Sequence, residues 1–248
     1  MTDSAGVPWE GRRFEPNPSA DDDGSADPRL IEAVRRFRAG ELGALQVVLA
    51  MHDARLLLPL VTVRGDEGIG AHGQLVDKTQ ELSIVTVAGP DGRSVLPVFS
   101  SVETMRVWDA AARPIPIAAP RVAIAAAAES TPLIVLDPGS PTEFAVRRPA
   151  LESLATGIPW LPCYEDETVL EAFLAAAAPE AAVLAVTLAP GDPDARLTGP
   201  ELVVRLALEE GLDRSRYDAV MARLRQRWSA SDVIADRVDS MRVQVVTA

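Results

Sequence analysis

The 248 residues carry a net charge of −12, with 48% hydrophobic and only 4% aromatic residues. That charge argues against wrapping phosphate backbones, which takes clustered Lys and Arg, and against anionic membrane surfaces, so neither nucleic acid nor membrane is an expected partner. One cysteine, Cys163, excludes an internal disulfide; no Cys/His set has zinc-ligand spacing, and the longest apolar run, Leu174 to Pro190, is broken by Pro179 and Glu180.

The first 26 residues combine prolines and glycines with the acidic run Asp21-Asp22-Asp23. This composition predicts an arm, disordered or laid over the fold, with Trp9 and Phe14 as anchors. The three aspartates lack the alternating spacing and closing Glu of a calcium loop and read as a solvated tail. The start, MTDSAGVPWEGRR, has no apolar stretch, so no signal peptide is expected and a cytoplasmic location is.

A helix is predicted after Asp27, a capping residue, with Pro28 in its first turn and Leu30, Val34 and Phe37 on one face. Arg35, Arg36 and Arg38 suit its last turn and Gly40 stops it. A second short helix fits Glu41 to His52, although ALQVVLA also reads as a strand. Leu56 to Val63 predicts a strand held to an edge or bulge by Pro59. LSIVTV from Leu82 and SVLPV from Ser94 predict a hairpin across the PDGR turn. Ser100 and Glu103 have capping-box spacing ahead of Val102, Met105 and Trp108. Strands LIVLD, ending at Asp137, and FAV, from Phe144, follow.

Pro, Gly and acidic residues cluster over 157–166 and place a boundary there. Beyond it, a helix near Glu167 to Ala177, strands from Val183 and Leu202, a helix capped by Asp213 and a strand from Val243 give the order α-β-β-α-β. The expected class is α+β: an acidic arm over 1–26 and two small domains over 27–162 and 165–248, each a mixed or antiparallel sheet covered by helices.

The segment GIGAHG, Gly68 to Gly73, spells a dinucleotide-binding loop. Such a loop needs a tight turn after a strand and then a helix aimed at the pyrophosphate. Only about eight residues lie between Gly73 and the next predicted strand, too few for a crossover helix, which takes about ten or more. No cofactor and no metal is expected. His52 or His72 with Ser100 or Ser101 and Asp137 makes no hydrolase without a G-x-S-x-G elbow. Cys163 precedes Tyr164, Glu165, Asp166 and Glu167, whose charge pushes a thiol pKa up, against a sulfur-transfer role. Arg214, Arg216, Arg223, Arg225 and Arg227 on one helix suit an acidic partner or, the preferred reading, a solvated face paired with nearby carboxylates.

In order, PWEGRRFEPNP, GSADPRLIEAVRRFRAG, LLLPLV, VDKTQEL, GPDGRSVLPVFSSVETMRVWD, LDPGSP and GIPWLP resemble the SseB family, the enhanced serine sensitivity proteins. The resemblance spans about residues 8–162 for the N-terminal SseB domain and extends more weakly over 165–248 to an SseB C-terminal domain. It implies no established biochemical activity and no catalytic residue to carry over. The family often has Thr where Ser100 stands.

The expected function is a non-catalytic interaction or regulatory module, with another protein as partner and self-assembly open. Its expected surface joins the 64–80 loop, with Asp77 and Lys78, to the edge near Pro97, Phe99, Ser100 and Trp108, because loops held on a rigid sheet carry recognition. The alternative is a sensor or enzyme for an amino-acid-related metabolite, using a cleft between the domains.

Overall fold

A computed structural model describes residues 22–62, 68–69, 75–76, 82–128, 131 and 133–247. Helix α1 (Pro28–Arg38) starts where Asp27 accepts a hydrogen bond from the Arg29 amide at 2.8 Å, and buries Leu30, Ala33 and Val34. Gly40, at φ 70°, turns the chain out of it. Helix α2 (Ala44–His52) follows, with the Gln46 side chain accepting from the Gly43 amide. The ambiguous ALQVVLA is therefore helical, and its Val47, Val48 and Met51 are buried.

Strands β1 (Arg55–Thr62), β2 (Gly68–Ile69), β3 (Leu75–Val76), β4 (Leu82–Ile84), β5 (Val87–Ala88) and β6 (Ser94–Val98) come next. Helix α3 (Val102–Trp108), strand β7 (Arg113–Ala118), helix α4 (Ala119–Ala128), strands β8 (Ile134–Leu136) and β9 (Phe144–Val146) and helix α5 (Leu151–Thr156) complete the first half. The sheets run β4-β1-β7 and β5-β6-β8-β9, with β6 and β8 parallel. Leu57 and Phe99 exchange backbone hydrogen bonds of 2.8 and 2.9 Å and stitch the two together.

LSIVTV, expected as one strand, is two. β4 pairs with β1 and β5 with β6, so the chain changes partners at Val85–Thr86. The run RPIPIA, not assigned from sequence, is the edge strand β7. Leu57 gives its N–H and C=O to Phe99, so opposite Pro116 the ladder needs no donor. An edge is where proline is tolerated in a sheet; Pro59, expected at an edge or bulge, instead lies in the middle strand β1, just before the β4 ladder starts at Leu60.

Period-two alternation buries both faces of this sheet. Leu56, Leu58, Leu96, Val98, Ile134, Leu136, Phe144 and Val146 face α1, α2, α4 and α5. Phe37 meets Phe144 edge-on at 5.2 Å, a contact that contributes about 0.5–1.5 kcal/mol beyond its area. On the other face Leu57, Phe99 and Ala112 pack on Met105 of α3, and Val95, Leu133, Val135 and Ala145 lie under Leu197.

Leu197 belongs to the second half: helix α6 (Glu167–Ala177), strands β10 (Val183–Pro190) and β11 (Leu202–Leu208), helices α7 (Arg214–Ser229) and α8 (Asp232–Arg237), and strand β12 (Met241–Thr247). β10 and β11 are antiparallel, while β11 and β12 are parallel and joined through the two helices. One sheet face packs Val186, Leu202, Val204, Leu206 and Leu208 on Phe173, Met221, Leu224 and Trp228. α8 is one turn and a half that periodicity did not show. The molecule is α+β.

The acidic arm is described from Asp22 onward. Arg55 donates to the Asp22 carboxylate at 2.8 Å, and the Val102 amide donates to the Gly24 carbonyl at 2.9 Å. These residues lie against the fold, so Asp22 is a bound ion-pair partner where a solvated tail was expected. Gly24 sits at φ 79°, and a Cβ there would meet Val102 at 2.7 Å.

Candidate functional site

The corner between β6 and α3 is built on Asp137. This residue ends β8 in the left-handed region, φ 45°, fully buried. Its carboxylate accepts from the Ser100 amide (2.8 Å), the Ser100 hydroxyl (2.6 Å), Thr104 Oγ1 (2.9 Å) and Thr142 Oγ1 (2.8 Å). A buried carboxylate with this many donors is satisfied without a counter-cation. The sequence placed the α3 cap one residue early: Ser101, not Ser100, is the N-cap and accepts from the Thr104 amide at 3.1 Å. The reason is tertiary, since Asp137 takes Ser100. His52 turns its Nδ1 to the Leu154 carbonyl at 2.9 Å, so it has no part in the Ser100–Asp137 pair.

This corner holds the aromatic pair of the expected surface. Phe99 is completely buried, and Trp108 packs on it with ring centroids 5.3 Å apart. Pro97 and Ser100 are buried as well, while Trp108 is half-buried and Val107 is 83% exposed. Beside them, Pro116 and Pro114 oppose Leu57 and Pro59 across the ladder and are exposed. Phe99 thus forms the floor under Trp108, and Pro97 and Ser100 are buried residues rather than surface ones. Asp77 and Lys78 lie outside the described residues, as does His72. The GIGAHG segment is flanked by strands: Gly68 and Ile69 on β2 pair antiparallel with Val76 and Leu75 on β3. Two residues past Gly73 the chain is already in β3, which leaves no place for a phosphate-binding helix.

The residues that sequence reasoning missed are where the two halves meet. Arg147, 8% exposed, donates to Asp192 at 2.6 Å, to Asp239 at 3.1 Å and to the Gly199 carbonyl at 2.8 Å. Arg93 adds two contacts to Asp239 at 3.0 and 2.9 Å. Arg148 binds the carbonyls of Ala235 (2.6 Å), Asp236 (3.1 Å) and Val238 (3.0 Å) at the C-terminal end of α8, where the helix dipole favours a cation. Arg38 donates to the carbonyls of Asp194 and Glu143. Asp192 also gathers the amides of Arg196, Leu197 and Thr198, which holds Ala195 and Leu197 at φ 48° and 56° and drives Leu197 into the first half. Nothing in the run RRPALES marks Arg147 as buried.

Charge is uneven across this junction. Burial works against the Asp192 charge, but the Arg147 hydrogen bond and the loop amides outweigh it and hold its pKa below the ordinary value. Glu201, 6% exposed, goes the other way: burial and the Asp239 charge raise its pKa, although the Asp239 amide donates to it at 2.7 Å. Beside it, burial pushes the Cys163 thiol far up, with Glu201 adding to the effect. The direction matches the sequence expectation, but the cause is burial and Glu201 rather than the acidic residues that follow Cys163. Such a thiol is inert as a nucleophile. Burial likewise raises Tyr164 to about 12.

The same junction encloses a cavity of about 40 Å³, lined by Phe144, Val146, Arg147, Trp160, Tyr164 and Glu201 among others. A water needs about 10–15 Å³ by this measure, so the space suits a few water-sized molecules and not a metabolite. Among the described residues no group of His, Cys, Asp and Glu side chains has the arrangement to hold a metal ion, and no helix is long and apolar enough to cross a membrane.

Fold and site together define an α+β protein of two sheet-and-helix halves joined by buried arginine–carboxylate contacts. Residues 30–153 match the SseB protein N-terminal domain. The chain belongs to the SseB family. No curated protein and no solved structure matches it.

Proposed function

We propose that this protein is a non-catalytic, cytoplasmic interaction or regulatory module whose partner is another protein. In this reading residues 27–162 form the SseB N-terminal domain and 165–248 an SseB C-terminal-like domain. The carrying observation is the α3–β7 corner, where half-buried Trp108 rests on fully buried Phe99 beside Val107, 83% exposed. A rigid aromatic on a fixed floor, flanked by exposed apolar side chains, is the usual make-up of a binding anchor. Asp77 and Lys78 extend the proposed surface, with buried Pro97 and Ser100 flanking Phe99 in the chain. The metabolite-sensor alternative needs a cleft of about 300–1,000 Å³; the junction cavity of about 40 Å³ is too small, whereas the more open cleft of about 460 Å³ lined by Glu152, Trp160, Asp166 and Arg237 has that size and keeps this second reading in play.

The test is cross-linking in cells followed by quantification of captured proteins. Val107→Glu and Trp108→Ala should deplete the same partner several-fold, while Arg214→Ala should not. An unchanged partner set with both corner variants sinks the reading. Val107 is exposed enough that its substitution leaves the fold intact.

A further inference from the structure

Sheet edges carry unpaired backbone groups, and proteins blunt them with proline, bulges, short length or cover. Most edges described here are treated in that way. β7 carries Pro114 and Pro116. β10 has a register shift between Val183 and Ala185 and ends on Pro190. β9 is covered, because the Ala145 amide donates to the Ala195 carbonyl at 2.7 Å. β4 and β5 are three and two residues long.

β12 is the exception. It runs seven residues, MRVQVVT, with an unbroken register on β11, no proline and one charge, and no other described strand pairs with it. The Leu202 amide donates to the Ser240 carbonyl at 3.0 Å, which sets the phase of the parallel ladder. Arg242, Gln244 and Val246 therefore turn their N–H and C=O groups to β11. Met241, Val243, Val245 and Thr247 present theirs outward. Val245 is 46% exposed and Met241 37%.

From this edge we infer that β12 is a self-association strand, pairing antiparallel with β12 of a second copy about a two-fold axis at Gln244. In that register Met241 faces Thr247, Val243 faces Val245, and each outward group meets an outward group. Both Val243–Val245 pairs are β-branched cross-strand contacts on the helix-covered side. On the open side Gln244 meets Gln244, whose amides are self-complementary, and Arg242 meets Val246, so no like charges face each other. The two three-stranded sheets become one of six strands. A contact limited to one strand edge falls short of the roughly 1,600 Å² of a standard interface, so the dimer depends on concentration.

Two measurements on the full chain test this. Sedimentation velocity should show reversible dimer formation as the protein is concentrated into the range of about 10–100 µM expected for a small interface. Val245→Pro removes only an outward N–H and keeps the β11 ladder; it should shift dimerisation to at least tenfold higher concentration with an unchanged circular dichroism spectrum. Val245→Lys gives the same reading should the proline variant fail to fold. Opposite residues in such a pair stand about 4.5 Å apart at Cα, within disulfide reach. Gln244→Cys should therefore cross-link to itself under mild oxidation and Arg242→Cys should not, while Cys163 stays buried. A wild-type monomer throughout, dimerisation untouched in both Val245 variants, or equal cross-linking at 242 and 244 overturns the inference.

Discussion

Of the regions where arginine meets carboxylate, the junction of the halves and α7 make the sharpest contrast, and burial separates them. At the junction Arg147, Asp192 and Asp239 have side chains 8%, 1% and 3% exposed. On α7, Arg214 and Asp218 are 89% and 58% exposed, and Arg216 and Glu209 are 61% and 36% exposed. Exposed pairs are screened and contribute little, whereas a buried charge stripped of its partner is costly. The preferred sequence reading of the α7 arginines, a solvated face bridging to acids, fits Arg214 and Arg216, whereas Arg223 and Arg227 converge on the buried Glu180. The buried arginine that ties the halves together lay elsewhere.

The largest test of this contrast is Arg147→Leu. It strands Asp192 without a cation, leaves Asp239 with Arg93 alone, and should cost about 3–5 kcal/mol in urea unfolding. It should also split one transition into two as the halves uncouple; an unshifted midpoint would mean that the junction contributes no coupling. Next is Ser100→Ala, at a buried carboxylate that has no arginine. Loss of the 2.6 Å hydroxyl contact to Asp137 should cost about 1–3 kcal/mol by the same measurement.

Glu201→Gln reverses the sign. The raised pKa of Glu201 means that the folded state disfavours its charged form, so wild-type stability is fullest below the ordinary carboxylate range and falls as pH rises through the folded pKa. The variant should melt a few degrees above wild type at pH 8, with the gap closing near pH 4. Equal melting at both values would place the Glu201 charge in contact with solvent.

Smallest are the effects on α7. Arg214→Ala should change stability by less than about 0.5 kcal/mol. Glu180 stands between the regions, with Arg223 and Arg227 on a side chain 5% exposed, and those partners hold its pKa at about 2. Its contribution is present above the ordinary carboxylate range and is lost as pH falls from about 4.3 toward 2. Glu180→Gln should therefore flatten the acid limb of a melting-temperature profile; an unchanged limb would show the pairing to be inconsequential.

Helices α1 and α7 were legible because each opens on an aspartate cap, Asp27 or Asp213, and repeats apolar residues at helical spacing. β6, β8, β10 and β11 were legible from apolar runs bounded by turns. β7 was not, because Pro114 and Pro116 count against a strand until its edge position is known. Phe99 and Trp108 were both placed near one edge from the sequence, and their rings are in contact. That Phe99 would be the buried floor and Trp108 the accessible member was beyond sequence, since both read alike as large apolar residues.

Alone, the sequence determined the α+β class, the caps of α1 and α7 and most of the helices and strands, because each follows from spacing within about a dozen residues. Only the tertiary structure decided that Asp137 claims Ser100 and shifts the α3 cap to Ser101, that Arg147 is buried between Asp192 and Asp239, and that β12 is an open edge. These depend on groups 37 to 92 residues apart in the chain, and the strength of a charge or hydrogen bond is set by the water excluded around it, which no local pattern encodes.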